Sequence, residues 1–368
     1  MKLLLSAVTV IFMLTLLPKD VDAHSNTYDE MLSPAYDVAM VKRRVESMNS
    51  IVNVKFTPEV EQYIRAYLTA GKKSSELILG YGKVYFPVIE YTLQMQDLPE
   101  DLKYVAVIES NLRPHAISLV GAAGLWQLMP ETAKTYGLNI DNYVDERKDP
   151  VKSTQVALNY LSLLHDRFGS WELALAAYNC GPGRLKRAIR HSGGSHDFWK
   201  LRPYLPKETS VYVSKFIAAT YVMKHYFYHG LTPRLKDPGM INTSAVSVYE
   251  KMNFGQIEEI TNVKYHLIRK LNSMYFNDVV PSSKEGHFVI LPRYGAKKLS
   301  AHVNKRCNEN LTGTLRVFTY TIKSGDSLSK IAKQFNCSVE DILDWNMLPS
   351  DMIFVNQKIT IRYVIKNA

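Results

Sequence analysis

The stretch from Pro99 to Leu112 reads PEDLKYVAVIESNL. Leu102, Val105, Ala106 and Ile108 make one apolar helical face, and Glu109 closes that run. A carboxyl among apolar side chains keeps its proton to higher pH, because desolvation disfavours the anion. Such a group suits general-acid chemistry, for instance protonation of the oxygen leaving a glycosidic bond. Spacing alone leaves a second reading open, an ordinary glutamate on the wet side of a helix. Further along, Gly121 and Gly124 allow a tight turn and close approach to a ligand. Gln127 offers a donor and an acceptor together, which suits an N-acetyl amide or the capping of a turn. Tyr178 and Tyr212 bring ring faces and hydroxyls that suit a sugar or fill a core, the core reading fitting Tyr212 better than Tyr178. Asn179 precedes Gly181-Pro182-Gly183, so it is either a ligand to substrate or a helix end. Ser110 either positions substrate or bonds its own helix backbone.

Helices must carry these residues. Thr57-Pro58-Glu59 is a helix start, and Val60, Tyr63, Ile64, Tyr67 and Leu68 follow on one face. Further starts stand at Asp97-Leu98-Pro99-Glu100 and Asp149-Pro150, and a stop at Gly230. Strand patterns are nearly absent before residue 240. Residues 24–95 are therefore expected as a helical region packed on a compact α domain at 96–230. Residues 231–244, with two prolines and a glycine, read as a linker. Residues 245–292 then run strand, helix, helix, strand. Residues 293–316 open with five Lys or Arg and no acid up to 306, and read as a basic linker. Residues 317–363 repeat the βααβ order. The expected fold is mainly α: one α domain followed by one or two small βααβ modules.

The chain has 368 residues, 46% hydrophobic and 22% charged. These ordinary globular values exclude a largely disordered or collagen-like chain. Lys+Arg 45 against Asp+Glu 35 gives +10, which points to an anionic partner such as nucleic acid, a membrane or a wall polymer. Lys2, the apolar run Leu3–Leu17 and the small residues Val21 and Ala23 read as a secretory signal peptide over residues 1–23. Export, to the periplasm or cell envelope, makes nucleic acid an improbable target. Three cysteines exclude a disulfide scaffold, although a Cys307–Cys337 pair stays open. Ten histidines form no HExxH or comparable ligand pair. Neither metal nor cofactor is expected.

Five stretches occur in order: Ile108-Glu109-Ser110; Gly121-Ala122-Ala123-Gly124-Leu125-Trp126-Gln127-Leu128-Met129-Pro130; Asp145-Glu146-Arg147 with Asp149-Pro150; Ala177-Tyr178-Asn179-Cys180-Gly181; and Leu205-Pro206-Lys207-Glu208-Thr209 with Tyr212. On these motifs residues 56–230 resemble the lysozyme-like lytic transglycosylases that cleave peptidoglycan, in the membrane-bound murein transglycosylase D variant. The resemblance implies a lysozyme-like α domain with Glu109 catalytic. It implies that Ser110, Gly124, Gln127, Tyr178, Asn179 and Tyr212 contact substrate. It also implies a mechanism with one carboxylate. Glycoside hydrolases usually need two acids flanking the bond, and only Glu208 lies near enough in the motifs to be a second. Here Glu109 would protonate the leaving oxygen and then deprotonate the sugar's own C6 hydroxyl, leaving a 1,6-anhydro-N-acetylmuramic acid end. Two alternatives stay open: a hydrolytic muramidase on the same fold, and a glycan-binding protein without turnover.

Residues 319–362 resemble a LysM module, which binds N-acetylglucosamine-containing glycan. The matching positions include Tyr320 to Leu328, Ile331-Ala332, Ile342, Trp345-Asn346 and Val355 to Ile359. Asp326 is expected to cap the first helix, and Ser338 with Asp341 to form a capping box on the second. Residues 245–292 read as a degenerate module of the same order or as packing particular to the family. The expected partners are peptidoglycan strands, with an association with the cell envelope.

Overall fold

The computed structural model describes residues 36–366 except 285, 311–312, 324, 336, 347, 349–350, 352 and 356. Side chains at 305–318, 340, 344 and 362–366 are outside the description, Cys307 among them, and so is the expected signal peptide at 1–23.

The first part is all helical. Helix α1 spans Val38–Glu46 and α2 spans Pro58–Leu68. The Thr57 hydroxyl accepts the Val60 N–H, and Pro58 occupies the first turn, where its missing N–H costs nothing. Helix α3, Lys72–Met95, is followed by a short 3-10 turn and then α4, Lys103–Ser110. Next come α5 (Pro130–Thr135), α6 (Pro150–Phe168) and α7 (Trp171–Cys180). Asp149 caps α6 by accepting the Val151 and Lys152 N–H groups, and Gly169 ends it at φ +78. Helices α8 (Pro182–His191), α9 (Phe198–Leu201) and α10 (Lys207–Ser210) lead to α11, Tyr212–His225. Helix α11 is buried from Phe216 to Met223 and packs against α2, α4 and α7. It is the central post of this part.

Residues 231–242 do not form a free linker. The Arg234 N–H donates to the Glu76 carbonyl, and Leu231 and Met240 are buried. A Cβ on Gly80 would sit 1.7 Å from the Arg234 carbonyl oxygen, so only glycine lets α3 accept that strand of backbone.

Strand β1 (Thr243–Val248) pairs antiparallel with β4 (His287–Pro292), from Thr243↔Pro292 to Val248↔His287. Between them lie β2 (Met252–Asn253), α12 (Phe254–Thr261), α13 (Tyr265–Leu271) and β3 (Val279–Val280). The buried face of this unit, including Val246, Ile257, Ile268, Val289 and Leu291, continues the core of the helical part.

The expected basic linker at 293–316 is corrected. Residues Arg293–Asn310 form helix α14. Ala296 and Leu299 are buried, while Arg293, Lys297 and Lys298 face water. Arg293, Lys297 and Lys298, part of the charge that suggested a linker, lie on the wet face of an amphipathic helix. Gly295 lets α14 approach: a Cβ there would meet the Val263 side chain at 2.3 Å.

The last unit has β5 (Gly313–Thr321), α15 (Leu328–Phe335), α16 (Val339–Asn346) and β6 (Lys358–Lys366). Strands β5 and β6 pair antiparallel from Gly313↔Lys366 to Thr321↔Lys358. Ile322, Leu328, Ile331, Ile342, Ile359 and Ile361 make a small separate core. Ser338 and Asp341 form the expected capping box, with reciprocal bonds of 2.8 and 2.9 Å. Asp326 does not cap α15. Its carboxylate accepts the Lys323 N–H and the Tyr320 hydroxyl, and the Ser327 hydroxyl takes the Lys330 N–H instead.

One side chain ties helix to strand in this unit. The Asn346 amide donates to the Ile342 and Thr360 carbonyls and accepts the Thr360 N–H. Truncation would take this partner from the Thr360 N–H and carbonyl, at about 1–3 kcal/mol for each group left buried and unpaired. Asn346→Ala should therefore unfold the last unit at clearly lower urea concentration and leave the helical part's transition in place. Two transitions followed by far-ultraviolet circular dichroism would check this.

Candidate active site

Glu109 is the penultimate residue of α4. That helix is buried from Lys103 to Val107, so its end is delivered into an apolar setting. The chain then turns sharply. Asn111 and Leu112 both take left-handed backbone, at φ +53 and +56. Asparagine tolerates that region; leucine pays roughly 1–2 kcal/mol there. Full burial of the Leu112 side chain, worth roughly 1.5–3 kcal/mol, offsets it.

The Tyr212 hydroxyl, at the start of α11, donates to Glu109 Oε1 at 2.5 Å. Burial pushes the Glu109 carboxyl up to about 7 from an ordinary 4.5, and the Tyr212 bond opposes that rise. The nearby Glu208 charge adds to the rise and Lys215 subtracts from it. Because Oε1 accepts from Tyr212, Oε2 is the oxygen left to carry the proton. Tyr212 itself is only 3% exposed, and burial with the Glu109 charge holds its phenol far above its ordinary range. Tyr212 is thus buried, as the core alternative had it, and its hydroxyl serves Glu109.

The loop from Gly121 to Leu128 lies beside α4. Ala123 and Leu128 exchange backbone hydrogen bonds of 3.1 Å, closing it as a miniature hairpin. Ser110, 1% exposed, reaches this loop: its hydroxyl lies 2.8 Å from the Leu125 carbonyl and 3.1 Å from that of Ala106, and accepts the Arg113 N–H. That is a correction to the expectation of substrate contact, since the hydroxyl is buried and fully engaged. It ties the acid's helix to the loop. Trp126 is wholly buried with its indole N–H on the Thr154 hydroxyl, anchoring the loop to α6.

Gly124 is also put to a structural use. At φ +86 its Cα faces the Arg147 carbonyl, and a Cβ would lie 1.7 Å from that oxygen. Its lack of a side chain admits protein backbone rather than a sugar. Arg147 holds the same loop from the other side. Its guanidinium grips the Asp145 carboxylate through two bonds of 2.9 Å and donates to the Gly121 and Leu128 carbonyls.

Gln127 adopts φ +46 and spends both amide hydrogens on the Ala116 and Gly124 carbonyls. Its amide oxygen has no partner among the described residues. The side chain therefore offers an acceptor, where its chemistry alone promised both functions. Tyr178 donates its hydroxyl to the Trp126 carbonyl at 2.7 Å, leaving its ring at the end of a row with Tyr160 and Tyr136. Asn179 accepts the Thr209 hydroxyl at 2.7 Å, which fixes its amide so that the NH₂ is the free end. Thr209 was not singled out as a site residue, though it stands in the same motif as Glu208. Tyr136 and Tyr160 gave no signal in sequence, because they come from other elements. Burial also raises the Glu208 carboxyl, which lies 4.0 Å from the Lys215 ammonium.

The arrangement is thus one half-buried acid held by a phenol, with an amide acceptor, an amide donor and an aromatic ring on neighbouring elements. Residues 86–200 match the Transglycosylase SLT domain, and residues 320–362 match the LysM domain. The chain thus carries a stretch similar to the SLT domain, followed by one similar to the LysM domain. It is 30% identical over 282 residues to the membrane-bound lytic murein transglycosylase D of Escherichia coli (strain K12), covering 73% of this chain and 61% of that protein. It is 33% identical over 129 residues to the soluble lytic murein transglycosylase of Salmonella typhimurium, covering 33% of this chain and 20% of that protein. The solved 70 kDa soluble lytic transglycosylase of Escherichia coli overlays at a TM-score of 0.36 with 27% identity, over 46% of this chain and 29% of that one. The chain therefore spans about three-fifths of the length of the first relative. The SLT match ends before Tyr212, so the phenol on the acid comes from outside it.

The raised Glu109 carboxyl carries a stability consequence. The folded protein binds this proton more tightly than the unfolded chain, whose carboxyl keeps its ordinary 4.5. Stability contributed by the protonated group is complete below pH 4.5 and is lost as pH rises towards about 7. Glu109→Gln has no charge to bury. Its melting temperature should match the wild type in acid, rise above it between pH 5 and 7, and keep that lead at pH 8.

Proposed function

We propose that this protein is an exported peptidoglycan lytic transglycosylase with Glu109 as its acid and base. The observation that carries the reading is the Glu109 carboxyl, buried enough to stay protonated near pH 7 and oriented by Tyr212, inside an SLT-domain match. Glu109 protonates the oxygen leaving from C1 of N-acetylmuramic acid, and the C1–O bond breaks. The resulting carboxylate takes the proton of that sugar's C6 hydroxyl. The C6 oxygen bonds to C1, giving the 1,6-anhydro end and returning the proton to Glu109. An intramolecular hydroxyl has the advantage here, since well-oriented internal attack reaches effective molarities of about 10⁵–10⁸ M.

Gln127 and Asn179 supply complementary ends to this reading. The free Gln127 oxygen accepts from an N-acetyl N–H, and the Asn179 NH₂ donates to a sugar oxygen or carbonyl. Tyr178 presents a ring face. Ser110 and Gly124 shape the loop. Glu208 is engaged by Lys215, which counts against it as the base of a hydrolase. The LysM unit is read as an anchor on N-acetylglucosamine-containing strands. Envelope association fits the name of the membrane-bound relative, and no helix among the described residues is long and apolar enough to cross a membrane.

Three outcomes are expected. Digestion of sacculi in ¹⁸O-labelled water should yield anhydro ends without label; labelled reducing ends would assign a hydrolytic muramidase. The kcat/KM on soluble fragments should fall as pH rises through about 7, following loss of the Glu109 proton. Glu109→Gln should lose at least about 10²–10⁴-fold at every pH, because its amide cannot donate to the leaving oxygen. A folded variant that clears sacculi at the wild-type rate would remove Glu109 from the reaction.

A further inference from the structure

The β1–β4 unit and the LysM unit share more than element order. Asn272 ends α13 as Asn346 ends α16. The Asn272 amide donates to the Ile268 and Ile290 carbonyls and accepts the Ile290 N–H. Asn346 makes the same three bonds, to the residue four before it and to the closing strand. The two units are built on one plan and braced by one side chain.

Their loops differ. Asn272 precedes its strand partner by 18 residues and Asn346 by 14. In the β1–β4 unit the loop after β1 and the loop after α13 are zipped together by the β2–β3 ladder, Met252↔Val280 and Asn253↔Val279. The longer loop also grips the helical part. Val144 bridges Tyr275, the Asp145 N–H donates to the Met274 carbonyl, and the Phe276 N–H donates to the Tyr143 carbonyl. The Lys148 ammonium lies 4.9 Å from the centre of the Phe276 ring, and the Tyr275 hydroxyl bonds the Phe288 carbonyl on β4.

The residue gripped is the one on which the substrate loop hangs. Asp145 is buried and holds Arg147, whose guanidinium bonds both ends of the Gly121–Leu128 loop and whose carbonyl fills the space at Gly124. Leaving either charge of a buried pair alone is costly, so Arg147 follows Asp145. We propose that the β1–β4 unit is a LysM-like module turned into a positioning clamp, setting the Gly121–Leu128 loop against Glu109 through Met274–Phe276, Asp145 and Arg147. Its effect on turnover rests on the proposed lytic reaction; the mechanical coupling does not.

The test is Phe276→Pro in the full-length protein. Tyr275 is extended at φ −88 and ψ 125, which suits a residue before proline. Phe276 opens a 3-10 turn, where proline is tolerated. The change removes the N–H bonded to Tyr143 and the ring over Lys148. Hydrogen exchange at the Ala123 and Leu128 amides should speed up. The kcat on soluble glycan fragments should fall about 10- to 100-fold, the order expected for misplacing reacting groups by about 1 Å. Sedimentation with sacculi should stay as in the wild type. Unchanged exchange and unchanged kcat in a folded variant overturn the proposal, and so does lost sedimentation with kcat intact, which would make this unit a glycan binder. If Phe276→Pro fails to fold, Tyr275→Phe removes only the bond to Phe288: faster exchange at Ala123 and Leu128 supports the clamp, and wild-type exchange overturns it. A wild-type protein without turnover would sink the lytic reading and leave the exchange result to judge the clamp.

Discussion

A carboxyl must be kept from water without being walled off from its substrate, and the helical part is organised around that constraint. Glu109 sits at the end of a short buried helix, where desolvation raises its proton affinity and one phenol limits the rise. The helix cannot project further, because Asn111 and Leu112 reverse the chain at once. Burying Leu112 stabilises that turn, so the apolar core is the source of the acid's placement.

Around the acid, polar groups mostly hold one another. Ser110, Gln127, Tyr178 and Thr209 each bond to backbone or to a neighbouring amide. What is left unpaired is the remainder: the Gln127 amide oxygen and the Asn179 amide nitrogen. Such saturation is what a low-dielectric site requires, since an unpaired buried polar group costs about 1–3 kcal/mol. It also orients the free ends before a ligand arrives.

The two βααβ units show how one plan serves two settings. Each closes an antiparallel strand pair over two short helices, and each places an asparagine where helix meets strand. The last keeps its own small core; the first shares a core with the helical part and presents its longer loop to it. A small core supplies little stability on its own, and packing onto a larger one removes that limit. Helix α14, with Arg293, Lys297 and Lys298 outward and Ala296 and Leu299 inward, extends the same shared core.

The helices at Thr57-Pro58 and Asp149-Pro150 were legible because caps and apolar spacing act within a few residues. The βααβ order at both ends of α14 was legible for the same reason, as was the Ser338–Asp341 box. Glu109 stood out at the end of an apolar run, but that spacing left an ordinary exposed glutamate open, and the motifs around it made the choice. The α14 helix was hidden by its composition, although its spacing held the answer. What only the tertiary structure decided is which polar atoms are left over. That the Tyr212 hydroxyl meets Glu109, 103 residues away, or that Gly124 makes room for Arg147 rather than a ligand, depends on elements brought together by the core. Local sequence sets a residue's chemistry and its helix. The partners that consume or spare its hydrogen bonds come from distant segments, and packing alone chooses them.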